Sequence, residues 1–147
     1  MTRDAVDLII QMWEDPKPGQ YKHKYWDFNI PIPDEEIGLS LHLKPYQKPH
    51  PPIGVAGISP NSETLTVAGE RGWMPMSINL IPTRIVKSHW DTVASGAKNA
   101  GKTADRSLWR ICREIYVADS SEQARTDVLN GVLRRDFENY FFKSCLL

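Results

Sequence analysis

The chain has 147 residues and a mass of 16.8 kDa, the length of one domain. Eighteen Lys and Arg balance eighteen Asp and Glu, so no whole-chain field would gather nucleic acid or an anionic membrane. Apolar residues make up 41% and charged residues 24%, the composition of a soluble domain able to bury a core. No run approaches the roughly 18 apolar residues of a membrane span, and Arg3, Asp4 and Asp7 argue against a signal peptide. Cys112 and Cys145 neither complete a four-ligand metal site nor make a disulfide scaffold, so a reducing cytoplasm is the expected setting.

Asp4 to Trp13 places Ala5, Leu8, Ile9, Met12 and Trp13 on one helical face, with Asp4 and Asp7 at the positive end of the helix dipole. Asp15-Pro16-Lys17-Pro18-Gly19 stops that helix. Tyr21 to Ile32, aromatic and β-branched, predicts one or two short strands, and Asp34-Glu35-Glu36 a solvated turn. Leu39, Leu41 and Leu43 alternate with Ser40, His42 and Lys44, which predicts a half-buried strand. Pro45 to Pro52, with four prolines, predicts extended chain.

The rhythm then changes. Ile53 to Gly57 is small and apolar, as a strand buried on both faces would be. Ser59-Pro60 reads as an N-cap with proline in the first helical position, and the helix continues from Ser62 to Arg71 before Gly72. Trp73 to Leu80 is the next strand. A helix from Thr83 to about Ala100 follows, ended by Gly101 as a C′ glycine. Trp109 to Val117 alternates as a third strand, and Ser120-Ser121-Glu122 opens a last helix to about Phe142. Strand and helix alternating with short links predict an α/β fold with crossover helices. Three core strands leave open edges, whereas a closed eight-stranded barrel needs roughly 200–250 residues, so the chain reads as an interior piece of something larger.

The turn from Val55 to Ser62 is the foremost candidate site. A strand ends in glycine and a Ser/Asn-rich turn enters a helix start, where free N–H groups, the dipole and the Ser59 and Ser62 hydroxyls would favour an anion. Two readings stand here, a phosphate seat or a simple Ser59 cap. His23, His42, His50 and His89 show no metal-ligand spacing, and His89 beside Trp90 reads as a helix-flank residue. Cys112, between Arg110 and Arg113, reads as a buried structural thiol. Arg84, Lys87, Lys98, Lys102, Arg106, Arg110 and Arg113 read as a solvated basic face. Trp73, Met74 and Met76 read either as the lining of a pocket for a flat ring or as core.

Pro51 to Ser62, then Ala68-Gly69-Glu70-Arg71-Gly72-Trp73-Met74-Pro75-Met76-Ser77, resembles the bacterial luciferase-like flavin monooxygenases. The likeness runs on through His89-Trp90, Gly101 to Ser107 and Trp109 to Asp119, and takes in Trp13, Tyr25-Trp26 and Leu43 to Gln47. The resemblance implies an incomplete (β/α)8 TIM barrel holding about half of the strands. Residues 1–14 would be a helix, 15–52 an irregular insertion that shapes the substrate mouth, and 53–147 consecutive β/α units.

It implies reduced FMN supplied by a separate flavin reductase, or in the related branch the deazaflavin F420, and dioxygen used to oxygenate a small organic substrate. Gly57, Ile58, Ser59 and Ser62 match the segment that contacts the flavin phosphate and ribityl chain. A homo-oligomer is implied. The resemblance assigns no catalytic residue within this chain, because the family's first strands precede the segment matched by Met1. The expectation is therefore a chain that is catalytically silent alone. Two alternatives are a non-catalytic interaction fragment that pairs through its sheet edges, and a small doubly wound domain that binds a phosphate ligand.

Overall fold

The computed structural model describes residues 2–39 and 44–144. The protein is a mixed α/β chain of two compact units, Met1–Gly54 and Val55–Leu147.

In the first unit, α1 (Thr2–Glu14) is amphipathic as its spacing requires, with Leu8 buried. Its last turn closes with the Asp15 N–H donating to the Gln11 carbonyl at 3.0 Å, and the prolines that follow prevent continuation. β1 (Gly19–Lys22) and β2 (Asp27–Ile30) form an antiparallel hairpin. Tyr21 lies opposite Phe28, their rings stacked at 5.1 Å, and the His23 N–H donates to the Trp26 carbonyl at 2.9 Å across the turn. Asp34 and Leu39 bridge around the expected acidic turn. Of the strand expected over Leu39 to Lys44, residues 40–43 lie outside the described residues. The proline-rich stretch bends over residues 46–50 and is not uniformly extended, since proline fixes φ but leaves ψ free.

In the second unit, β3 (Gly54–Gly57), α2 (Glu63–Arg71), β4 (Met74–Ser77), α3 (Thr83–Asn99) and β5 (Arg110–Ile111) follow the predicted alternation. The sheet order is β3-β4-β5, with β4 and β5 parallel and Ser77 beside Ile111. Leu65, Ala68, Val86, Val93 and Ala97 form the core of the α2–α3 pair. Both helices end in the same way. The Trp73 N–H donates to Ala68 at 2.9 Å and the Lys102 N–H to Ala97 at 2.8 Å, over Gly72 (φ 75°) and Gly101 (φ 69°).

Several expectations change, beginning with the second strand, which covers Met74–Ser77 rather than Trp73 to Leu80. β3 is covered on one face only: Gly57 is buried while Gly54 and Ala56 are exposed. The third strand shrinks to Arg110–Ile111, because β5 ends the described sheet and no described residue covers Ile115 or Val117, 82% and 85% exposed. An apolar alternation holds a strand only where a layer packs on it. The last helix breaks at Gly131. Ser120 caps α4 (Ser121–Asn130) by accepting from the Gln123 N–H at 3.0 Å. Beyond the extended Gly131 come α5 (Val132–Asp136), a π turn (Phe137–Phe141) and α6 (Phe142–Ser144).

Candidate functional site

The turn between β3 and α2 is exposed from Ile58 to Asn61 and dips inward at Ser62. Ser62, not Ser59, is the residue that precedes the helix. Asn61 sits at φ 52°, a left-handed conformation that interrupts helical geometry after Pro60, so α2 begins at Glu63. The Leu65 and Thr66 N–H groups donate to the Ser62 carbonyl at 3.0 and 3.2 Å.

The Ser62 side chain does not cap the helix. Thr64 spends its hydroxyl hydrogen on the Ala56 carbonyl (2.8 Å), so at the 2.9 Å contact between the two hydroxyls Ser62 donates to Thr64 Oγ1. A short relay thus ties the start of α2 to the end of β3, and the side-chain cap that serine ordinarily supplies is missing from the helix start. Gly57 is glycine because of what lies beneath it. A Cβ there would run into the Leu65 side chain and come within 3.2 Å of Ser62 Cβ, and Leu65 is fully buried.

Behind the turn stands a polar cluster that the flank reading of His89 missed. His89 is 0% exposed, as is Ser77 at the end of β4. The His89 Nε2 atom is 3.0 Å from the Ser59 carbonyl oxygen and its Nδ1 is 2.9 Å from Ser77 Oγ. The Trp109 Nε1–H donates to the same Ser77 oxygen at 2.9 Å. The Trp109 ring stacks on Trp90 at 5.4 Å, and the Arg106 guanidinium lies over both rings at 5.3 and 5.5 Å. The signal was in the sequence. Val86, His89, Val93, Gly96 and Ala97 share the buried stripe of α3, and helical spacing puts position 89 on it.

The remaining candidates do not join this cluster. Cys112 is exposed, not buried, because the chain leaves the sheet there after its N–H reaches the Ser77 carbonyl at 2.9 Å. His23 lies 3.6 Å from Asp4 and His50 tilts against Trp13, while His42 falls outside the described residues. Among the described residues no three His, Cys, Asp or Glu side chains stand together as metal ligands. The basic face is partly engaged: Lys102 donates to the Glu70 carbonyl at 2.8 Å, and Arg113 reaches the Ile78 and Ile81 carbonyls at 3.4 and 3.3 Å. Arg113 Nη2 is buried without a partner. Trp73, Met74 and Met76 are half-buried, with Arg71 over the Trp73 ring at 5.1 Å. In the first unit, Leu8, Met12, Trp13, Trp26 and Phe28 line an apolar recess of about 470 Å³. No described helix is long and apolar enough to cross a membrane.

The family model for luciferase-like monooxygenases matches residues 1–144. The chain belongs to the luciferase-like monooxygenase family. It is 32% identical over 145 residues to the 3,6-diketocamphane 1,6-monooxygenase of Pseudomonas putida, covering 95% of this chain and 38% of that protein. To the 2,5-diketocamphane 1,2-monooxygenase 2 of the same species it is 30% identical over 143 residues, covering 95% and 39%. A solved structure of the oxygenating constituent of 3,6-diketocamphane monooxygenase, a type II Baeyer-Villiger monooxygenase in complex with FMN, superposes with a TM-score of 0.78 at 30% identity. That match covers 96% of this chain and 39% of the other. The luciferase-like chain therefore spans about two-fifths of the length of these relatives.

Proposed function

We propose that the chain is the flavin-phosphate side of an FMN-dependent monooxygenase that oxygenates a small organic substrate, and that its β/α units are part of a (β/α)8 barrel. In this reading residues 1–14 are a helix, 15–52 an insertion that shapes the substrate mouth, and 53–147 successive barrel units. The observation that carries it is the helix start at Glu63, left without a serine cap beside the Gly57 turn, in a chain whose 30%-identical relative is an FMN complex.

The residues present fit a phosphate. The first N–H groups of α2 lack a side-chain acceptor from Ser62, and the helix dipole places partial positive charge there. Ile58 and Ser59 are exposed, so the Ser59 hydroxyl is open to an incoming ligand, while the Ser59 carbonyl is taken up by His89. Gly57 and Ser62 act by shape, holding Leu65 and the Thr64 relay under the turn. Two carboxylates oppose an anion: Glu63, which is exposed and screened by water, and Asp91, which shares a recess with Asn61 and is paired with Lys87 at 2.6 Å. Bound in reduced form, FMN would supply the electrons that activate dioxygen.

The chain's own part is to bind the phosphate and orient the flavin. The apolar recess beside Trp13 and Trp26 offers surface of the kind a hydrocarbon-rich substrate needs. A separate reductase would deliver reduced FMN, and the assembly would be a cytoplasmic homo-oligomer. Oxygenation is not expected from these 147 residues alone.

Titration of the protein with FMN and with riboflavin, followed by flavin fluorescence, tests the reading. FMN should bind about tenfold or more tightly, the worth of one charge-assisted contact. Equal affinity for the two would remove the phosphate from the argument.

A further inference from the structure

We infer that His89 is a positioning residue for the phosphate turn: as the Nε2–H tautomer it draws the Ser59 carbonyl inward and so keeps that oxygen from facing the bound anion. This rests on the reading of the turn as a phosphate seat.

The hydrogen bonds fix the tautomer. A carbonyl oxygen only accepts, so at the 3.0 Å contact with Ser59 the hydrogen is on His89 Nε2. The Trp109 indole N–H only donates, so Ser77 Oγ accepts there, which frees the Ser77 hydroxyl hydrogen for His89 Nδ1 at 2.9 Å. Every hydrogen then has an acceptor in a cluster whose centre, His89 and Ser77, is fully buried. The opposite tautomer would set an Nε2 lone pair against the Ser59 carbonyl oxygen, which buried polar groups do not tolerate cheaply.

The Ser59 carbonyl needs such an anchor. It belongs to the Ser59–Pro60 amide, which has no N–H of its own to compensate, and it stands in the exposed stretch that would meet the phosphate. A carbonyl dipole turned toward an anion repels it; the same dipole held on His89 Nε2–H does not. Trp109 and Ser77 hold the imidazole, and the imidazole holds the turn. Three separate segments, β4, α3 and the approach to β5, thereby set the orientation of one peptide group.

Two substitutions separate the two sides of the ring. His89→Gln retains a side-chain amide that reaches toward Ser59, whereas His89→Asn retains the shorter reach toward Ser77 and loses Ser59. For each folded variant, FMN and riboflavin affinities are measured by fluorescence titration, with thermal unfolding as control. The expected result is that His89→Asn loses about tenfold in FMN affinity with riboflavin affinity unchanged, and that His89→Gln restores most of the preference.

An unchanged FMN-to-riboflavin ratio in His89→Asn, or parallel loss of both ligands, would overturn the role of His89 and leave the phosphate reading standing. A wild-type protein with no preference for FMN would remove both. Independently of whether the variants fold, ¹⁵N NMR of the wild-type imidazole should show Nε2 protonated and Nδ1 unprotonated, with and without FMN. The Nδ1–H tautomer would contradict the inference.

Discussion

Gly69 of α2 and Gly96 of α3 each stand against the backbone of the other helix. A Cβ on Gly69 would strike the Val93 carbonyl and approach the Ala97 nitrogen at 2.8 Å, and a Cβ on Gly96 would strike the Thr66 carbonyl. Backbone cannot swing aside as a side chain can. Gly69→Ala and Gly96→Ala are each expected to destabilise the fold by about 1–3 kcal/mol, as overpacking does. Because both methyls would push the same helices apart, the double variant should lose less than the sum of the two. Urea unfolding of the four proteins measures this. Full additivity would mean the helices do not touch as described.

Gly72 and Gly101 are glycines for the other reason. Nothing lies within 4 Å of a Cβ at either, but both adopt left-handed φ, 75° and 69°. Alanine there costs only backbone strain, about 1 kcal/mol. Asparagine, which tolerates this conformation better, should recover part of the loss in the same unfolding assay.

Ser77→Ala would leave the half-buried Trp109 indole N–H and the buried His89 Nδ1 without their shared partner. A loss of about 2 kcal/mol or more is expected, against about 1 kcal/mol for Ser120→Ala, which removes only the exposed cap of α4. Chemical denaturation of the two variants gives the comparison. A smaller loss for Ser77→Ala would mean the cluster is wet.

Asp105 accepts hydrogen bonds from the Ser107 hydroxyl and the Ser107 N–H, the latter at 2.8 Å, and these hold its carboxyl below its ordinary value of 3.8. A lowered folded value means that the contribution is fully present above 3.8 and is lost as pH falls through the folded value. Carboxyl ¹³C titration should place the Asp105 midpoint below 3.8, and Ser107→Ala should raise it. Full exposure keeps the effect on global stability small.

Much of this fold was readable from the chain. Proline and glycine marked where α1, α2 and α3 end, since those residues act through their own backbone whatever surrounds them. The aromatic and β-branched run from Tyr21 to Ile32 announced short strands, while their pairing as a hairpin, with Tyr21 opposite Phe28, comes from the structure. The errors have a common origin in what lies across from a residue. Cys112, the short β5 and the open face of β3 were misjudged because burial depends on a covering layer that no local pattern reports. Gly57 was legible as glycine, but its reason, the Leu65 side chain beneath it, is a tertiary contact. His89 was read by its flank when its place on the buried stripe of α3 already pointed inward.

The central claim is that the turn from Gly57 to Ser62 receives the phosphate of FMN. The most direct measurement is a backbone amide NMR titration of the ¹⁵N-labelled protein with FMN, with riboflavin in parallel. The account predicts saturable shifts concentrated at residues 57–66 with FMN and largely absent from that turn with riboflavin. Shifts that leave those amides untouched, or that are the same for both ligands, would contradict it.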